Sequence, residues 1–363
     1  MLPRRGEGAK LSSSFLCDFG PLWQIKWIVA WRAPKCKVSI DCRVKKLLIL
    51  LMIVSTSCAA QTSVGTIERY DSSLNTILAA DAKAEIIATG FEWSEGPLWI
   101  EKDKMLLFSD VPRNTIYKWT ATKGAEVYLK PSGYTGTAER DGETGSNGLI
   151  LDRNGALVLC QHGDRRMARM DAFVSEPSAK FVTIAGNYQG KRFNSPNDAA
   201  YNSKGELFFT DPPYGLEKGM DDPGRELSFQ GVYKVNTSGE VILITDTLTR
   251  PNGIAFFPGE KSFIVANSDG GKPNWYVFDI DENNSVSNGR IFYNASGGAD
   301  GLKIDKNGNV FATGPGGIWI FNRSGKLLGK LRLKEAASNC ALSADEKTLY
   351  ITNDMQVLRF EMR

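Results

Sequence analysis

One local pattern recurs six times along this chain, and it restricts the fold more than composition does. Each copy opens on a short polar residue, passes through a small or polar one into an apolar run, turns, and enters a second apolar run. The first copy is Glu95-Gly96-Pro97-Leu98-Trp99, and the others open at Asn147, Asn197, Asn252, Asp300 and Asn339. Successive openers are 52, 50, 55, 48 and 39 residues apart, a period typical of solenoids and propellers. Within the copies, short apolar runs alternate with turn sequences such as Arg153-Asn154-Gly155, Ser203-Lys204-Gly205 and Lys306-Asn307-Gly308, which read as successive hairpins. No long 3.6-residue stripe runs through 84–363, which argues against helical repeats. Four short strands per repeat predict an all-β chain, a six-bladed β-propeller with four antiparallel strands per blade. The last repeat holds only three apolar runs, so Ala84–Thr89 is expected to supply its fourth strand and close the ring.

The openers then acquire chemical meaning. The innermost strand of each blade begins at one face of the disc, so six innermost strands bring Glu95, Asn147, Asn197, Asn252, Asp300 and Asn339 around one axis. All six carry side-chain oxygen. Asn and Asp are common in turns, but six oxygen donors in register, one of them Glu, point to a hard cation. Two carboxylates with several amides suit Ca²⁺, with Mg²⁺, Mn²⁺ or Zn²⁺ as other divalent choices. No Cys/His cluster suggests structural zinc.

Fourteen or fifteen residues after each opener comes a second ring, Asp110, His162, Asp211, Asn267, Gly314 and Asn353. His162 is the only histidine of the chain, and it reads either as a hydrogen-bonded structural residue or as a substrate contact. No G-x-S-x-G elbow is present. Long Gly-rich loops at 130–146, 186–196 and 212–231 leave from the opener side and read as a substrate rim. Arg192 lies on this rim, either as a solvated charge or facing a polar substrate.

Several segments together resemble the senescence-marker-protein/gluconolactonase family of six-bladed propellers: Glu95-Gly96-Pro97, the run from Arg192 to Asp198, the run from Thr210 to Leu216, Pro251-Asn252-Gly253 and Asp300-Gly301. The resemblance spans 84–363. It implies a divalent cation, usually Ca²⁺, at Glu95, Asn252 and Asp300, with Asn197 touching metal or substrate and Asp300 handling the proton. The family's arginine stands two residues before that asparagine in some members, whereas Arg192 here stands five before Asn197. The expected chemistry is hydrolysis of a sugar lactone, with the carbonyl polarised by the cation and water activated by Asp300 or Asp211. Asn147, Asn197, Arg192 and His162 are the candidate substrate contacts. The alternative is another lactone, aryl-ester or phosphotriester hydrolase on the same scaffold, or a non-enzymatic binding propeller.

The N-terminal part reads differently. Residues 1–46 carry ten Lys/Arg against three Asp/Glu, and since the whole chain nets +3, the rest is −4. A mildly acidic repeat region makes a nucleic-acid partner an unsuitable match, and no protein partner is implied. Val44-Lys45-Lys46, the apolar run Leu47 to Val54, and Ser55-Thr56-Ser57-Cys58 form a signal peptide over 44–58 that resembles a bacterial lipoprotein signal. It is too short to span a bilayer. An exported protein is expected, periplasmic or membrane-anchored through a lipid on Cys58. Residues 1–43 are then a non-native or disordered extension upstream of a start at Val44, and 59–83 a linker. Cys160 and Cys340 fall in non-neighbouring blades and are expected to be free and buried. Intact-mass analysis of the natively produced protein is expected to show a mature chain beginning at Cys58; retention of Met1 would overturn this reading.

Overall fold

The computed structural model describes residues 63–363 apart from 273, 283, 284 and 296; the expectations for 1–43 and 44–58 fall outside the described residues. Six antiparallel sheets run in chain order around a central axis. The first blade is Ser94–Ile100, Met105–Asp110, Thr115–Thr120 and Gly124–Leu129, each strand paired to the next. The second to fifth blades repeat this order from Ser146–Leu151, Ala199–Tyr201, Pro251–Phe256 and Leu302–Ile304. The sixth is Ala337–Leu342, Thr348–Asn353 and Gln356–Glu361, completed by Ala84–Thr89 as expected. Arg359 Nη2 meets Glu85 Oε2 at 2.7 Å across this closing pair. No helix among the described residues is long and apolar enough to cross a membrane.

The second strand of each blade explains the unbroken apolar runs. Successive strand residues face opposite sides, and both sides of a blade are covered by a neighbouring blade. In the first blade, Leu106 and Phe108 pack toward the sixth, while Leu107 packs toward the second. In the third, Leu207 and Phe209 face the second and Phe208 faces the fourth. Six apolar clusters result, one at each interface between neighbouring blades. Cys160 and Cys340 are free and buried within them.

Side-chain oxygens hold the hairpin turns. Asp152 Oδ1 accepts the N–H groups of Asn154 and Ala156 at 2.8 and 2.9 Å, and Asp305 Oδ1 those of Asn307 and Asn309 at 2.9 and 2.7 Å. Such Asx turns favour the tight reversal that each strand pair needs.

Residues 63–83, expected as a linker, are part of the folded ring. Ser63–Val64 pairs with Ala84–Thr89, and Thr66–Arg69 adds a fifth strand to the fifth blade through Leu327–Arg332. Leu74 and Leu78 are fully buried between the fifth and sixth blades. The polar composition of the segment hid these two anchors. Leu74→Ala is expected to cost about 2–5 kcal/mol and lower the melting temperature measurably; an unchanged Tm would return the segment to a linker.

Candidate active site

The openers gather on one face because the innermost strand is irregular there. Its pairing with the second strand shifts register between Glu95 and Leu98, between Ser146 and Leu149, between Pro251 and Ile254, and between Ala337 and Asn339. A bulge at the strand start re-aims the opener side chain. The residue after the opener meets the next blade at close range. A Cβ on Gly148 would stand 2.7 Å from Asn197 O, and one on Gly96, which also has φ +52°, would stand 2.1 Å from Asn147 O. Only glycine admits that approach, and Gly148 N donates to Asn197 O at 2.8 Å.

The resulting cleft has a volume of about 340 Å³ and is walled in part by Glu95, Asn147, Asn197, Asn252 and Asp300. The structure therefore brings together the expected cation set of Glu95, Asn197, Asn252 and Asp300, with Asn147 beside it. Asn339 is turned away to bond within the protein. Its Nδ2 reaches Asp198 Oδ2 at 3.4 Å, and its Oδ1 accepts the Cys340 N–H at 2.8 Å. Lys303 Nζ lies 3.8 Å from the same Asp198 oxygen, which gives the channel a cation of its own.

Two features of the cleft are costly without a ligand. Asn147 Oδ1, Asn252 Oδ1 and Asp300 Oδ1 are buried with no hydrogen-bond partner among the described residues. Asn252 spends its Nδ2 on Ser268 Oγ at 2.9 Å, which leaves its oxygen for the cleft. The acids also oppose one another. Burial pushes the Glu95 carboxyl well above the usual range, and the charges of Asp300, Asp198 and Glu143 push it further, against the Gly96 N–H that Glu95 accepts. Burial likewise raises Asp300, followed by the charge of Glu143, while Asn252 partly offsets the rise. Unpartnered buried oxygens and mutually repelling carboxylates are the setting that a hard divalent cation relieves. No three His, Cys, Asp or Glu side chains cluster as ligands among the described residues, so a cation here would depend on amide oxygens as well.

Asp110, Asp211 and Asn267 of the second ring serve the backbone. Asp211 accepts from Asn194 N and Ser195 N at 2.8 Å each, and from Asn194 Nδ2 at 3.1 Å. Burial pushes its pKa up to about 7 against these donors. Asp110 accepts from Glu92 N and Trp93 N, and Asn267 Oδ1 from Arg250 N. Each holds the loop leading into its own blade's opener. Asp211, an expected base, is not among the residues that line the cleft, and its carboxyl is taken up by these loop N–H groups.

The other two candidates, Arg192 of the rim and His162 of the second ring, also lie elsewhere. Arg192 is exposed on the small hairpin of Asn187–Tyr188 and Lys191–Arg192, with Nη2 3.3 Å from Asp164 O. His162 is fully buried behind the wall, its Nδ1 3.2 Å from Glu143 Oε2. Conversely, the cleft includes Trp93, Glu143, Tyr214 and Ser268. Burial pushes the Tyr214 phenol up to about 12, so it remains a proton-bearing donor at neutral pH. Glu143 and Tyr214 sit in the long loops read as a rim. Trp93 and Ser268 adjoin pattern residues but carry no period of their own.

The chain is a six-bladed propeller with a carboxylate–amide cleft at one end of its axis. The model described as SMP-30/Gluconolactonase/LRE-like region matches residues 93–354, and the chain belongs to this family. A gluconolactonase of Zymomonas mobilis is 36% identical over 311 residues, covering 82% of this chain and 86% of that protein. A gluconolactonase structure from Xanthomonas campestris matches with a TM-score of 0.72 and 27% identity, over 83% of this chain and 98% of that one. Regucalcin from Agrobacterium tumefaciens, a calcium-binding protein, shares the fold at a TM-score of 0.60 and 14% identity, over 76% and 93% of the two chains.

Replacing Asp211 by Ala leaves two backbone N–H groups without acceptors. A loss of about 1–3 kcal/mol for each such group is expected, read as a lower Tm, with cation binding retained in the folded fraction. A D211A variant with wild-type Tm and no turnover would restore Asp211 to the chemistry.

Proposed function

We propose that this chain is a divalent-cation-dependent lactonase that opens a sugar lactone, with gluconolactone as the first substrate to try. The observation that carries the reading is the set of buried, unpartnered oxygens on Asn147, Asn252 and Asp300, beside Glu95 in one cleft. The similarity to gluconolactonases supports the substrate class.

Glu95, Asn252 and Asp300 would hold the cation, with Asn197 or Asn147 completing the set toward metal or substrate. Ca²⁺ fits two carboxylates and several neutral oxygens best. A bound divalent ion would supply a Lewis acid for the lactone carbonyl and its developing oxyanion. Asn252 is held by Ser268, and the Asp300 N–H donates to Thr313 Oγ1 at 3.0 Å, so both donors are pre-positioned. Trp93 and Tyr214 give the cleft an apolar wall and a phenolic donor, suited to the ring face and hydroxyls of a sugar. An exported location, periplasmic or lipid-anchored through Cys58, remains part of this proposal and rests on sequence outside the described residues.

After chelation, δ-gluconolactone turnover above the spontaneous rate is expected to vanish and to return on adding Ca²⁺ or another divalent ion. Asp300→Ala is expected to lose both cation binding and turnover. Turnover that survives chelation would overturn the cation requirement; a bound cation with no lactone turnover, but cleavage of an aryl ester or phosphotriester, would overturn the substrate class.

Cation uptake also has a signed pH dependence. The raised carboxyls of Glu95 and Asp300 retain protons above the usual carboxylate range, and a cation must displace them. Affinity is therefore expected to rise from pH 5 to pH 8; calorimetry showing no change, or a fall, would contradict the arrangement.

A further inference from the structure

Three acids line the cleft: Glu95, Asp300 and Glu143. The first two are committed to the cation in the proposed function, on which this inference rests. A ligated carboxylate is a poor base because the cation lowers its pKa, and Asp211 is occupied by backbone N–H groups. Glu143 is the carboxylate of the wall that remains uncommitted.

The loop carrying it is firmly held. Asn114 Oδ1 accepts the N–H groups of Ser132, Gly133 and Tyr134 at 3.0, 2.7 and 3.2 Å. Arg140 donates to Gly163 O at 2.6 Å and to Gly215 O at 3.1 Å, which ties the loop to two neighbouring segments. Gly145 N donates to Val111 O at 2.8 Å, and His162 N to Gly145 O at 3.2 Å. Behind the loop, His162 is fully buried, and among the described residues its charged neighbour within ion-pair distance is Glu143 Oε2. Neither ring nitrogen of His162 makes a hydrogen bond among the described residues, and Nδ1 is the one that stands beside Glu143. A buried imidazole whose Nδ1 stands 3.2 Å from a carboxylate oxygen is close enough to restrict that carboxylate. The Glu143 side chain is 32% exposed and lines the cleft.

We infer that Glu143 is a catalytic residue, the general base that deprotonates the attacking water, and that His162 is its positioning partner. Glu143 takes one proton as the water oxygen bonds to the lactone carbonyl carbon. Collapse of the tetrahedral adduct breaks the ring C–O bond, and the proton held by Glu143 passes to the departing alkoxide. The product is the open hydroxy acid, and Glu143 is again a carboxylate.

The test uses the full chain with Ca²⁺ and δ-gluconolactone. Glu143→Gln preserves shape but cannot take the proton. Its kcat is expected to fall at least 100-fold, in the range of a lost general base, while KM and the calorimetric Ca²⁺ affinity stay within about threefold. A kcat within threefold of wild type overturns the role, and so does lost Ca²⁺ binding, which would make Glu143 a ligand. Inactivity of the wild type toward every lactone, with Ca²⁺ still bound, would overturn the lactonase reading and this role together. For His162, the Asn variant keeps a donor near the place of Nδ1 and the Phe variant does not. The Asn variant is expected to recover at least tenfold in kcat over the Phe variant at equal Ca²⁺ affinity; equal kcat in the two would reduce His162 to packing.

Discussion

The near-contact between each innermost strand and the next is the constraint on which this molecule depends. At Gly148 and Gly253, each just after an opener, the backbone N–H of one blade donates to the next opener's carbonyl, Asn197 O at 2.8 Å and Asp300 O at 3.3 Å. Hydroxyls reinforce the seam: Ser109 Oγ donates to Asn147 O and Thr210 Oγ1 to Asn252 O, at 2.9 and 2.7 Å. Backbone polar groups at the axis are thereby satisfied by neighbouring blades. Opener side chains are then free to face the cleft, where the oxygens of Asn147, Asn252 and Asp300 find no partner among the described residues. Structure and proposed chemistry thus share five short segments, with main chain used for the ring and side chain for the ligand.

Much of this was legible in the residues, for definite reasons. The repeat period and the turn pairs exposed the blades, because a strand buried on both faces leaves a continuous apolar run that no amphipathic helix shows. Ala84–Thr89 was identifiable as the closing strand because the last repeat was one run short. Register alone placed all six openers around one axis, and the family resemblance singled out Glu95, Asn197, Asn252 and Asp300 among them.

What stayed hidden depends on side-chain direction and irregular backbone. Asp110, Asp211 and Asn267 recur in phase with the openers, yet they turn back onto the loops of their own blades. Periodicity reports position along a strand and says nothing of which nearby N–H a carboxylate will meet. The bulges that re-aim the openers leave no compositional mark. Glu143 belongs to a loop without a repeat, and its pairing with His162 arises from how 130–146 folds over the second blade. Leu74 and Leu78 were overlooked because two buried leucines in a polar stretch produce no periodic signal.

The closing strand bears on how the molecule is made. Ala84–Thr89 finds its partner in Gln356–Glu361, at the opposite end of the repeat region. Until those last residues emerge, the first and sixth blades each present an unmatched flank, and the loop-closure entropy of joining them is among the largest the chain must overcome. Ring closure is therefore a late, cooperative event in biogenesis. A nascent chain released a few residues early would be a broken circle with an open sheet edge, a substrate for chaperones and proteases more than a weakened enzyme.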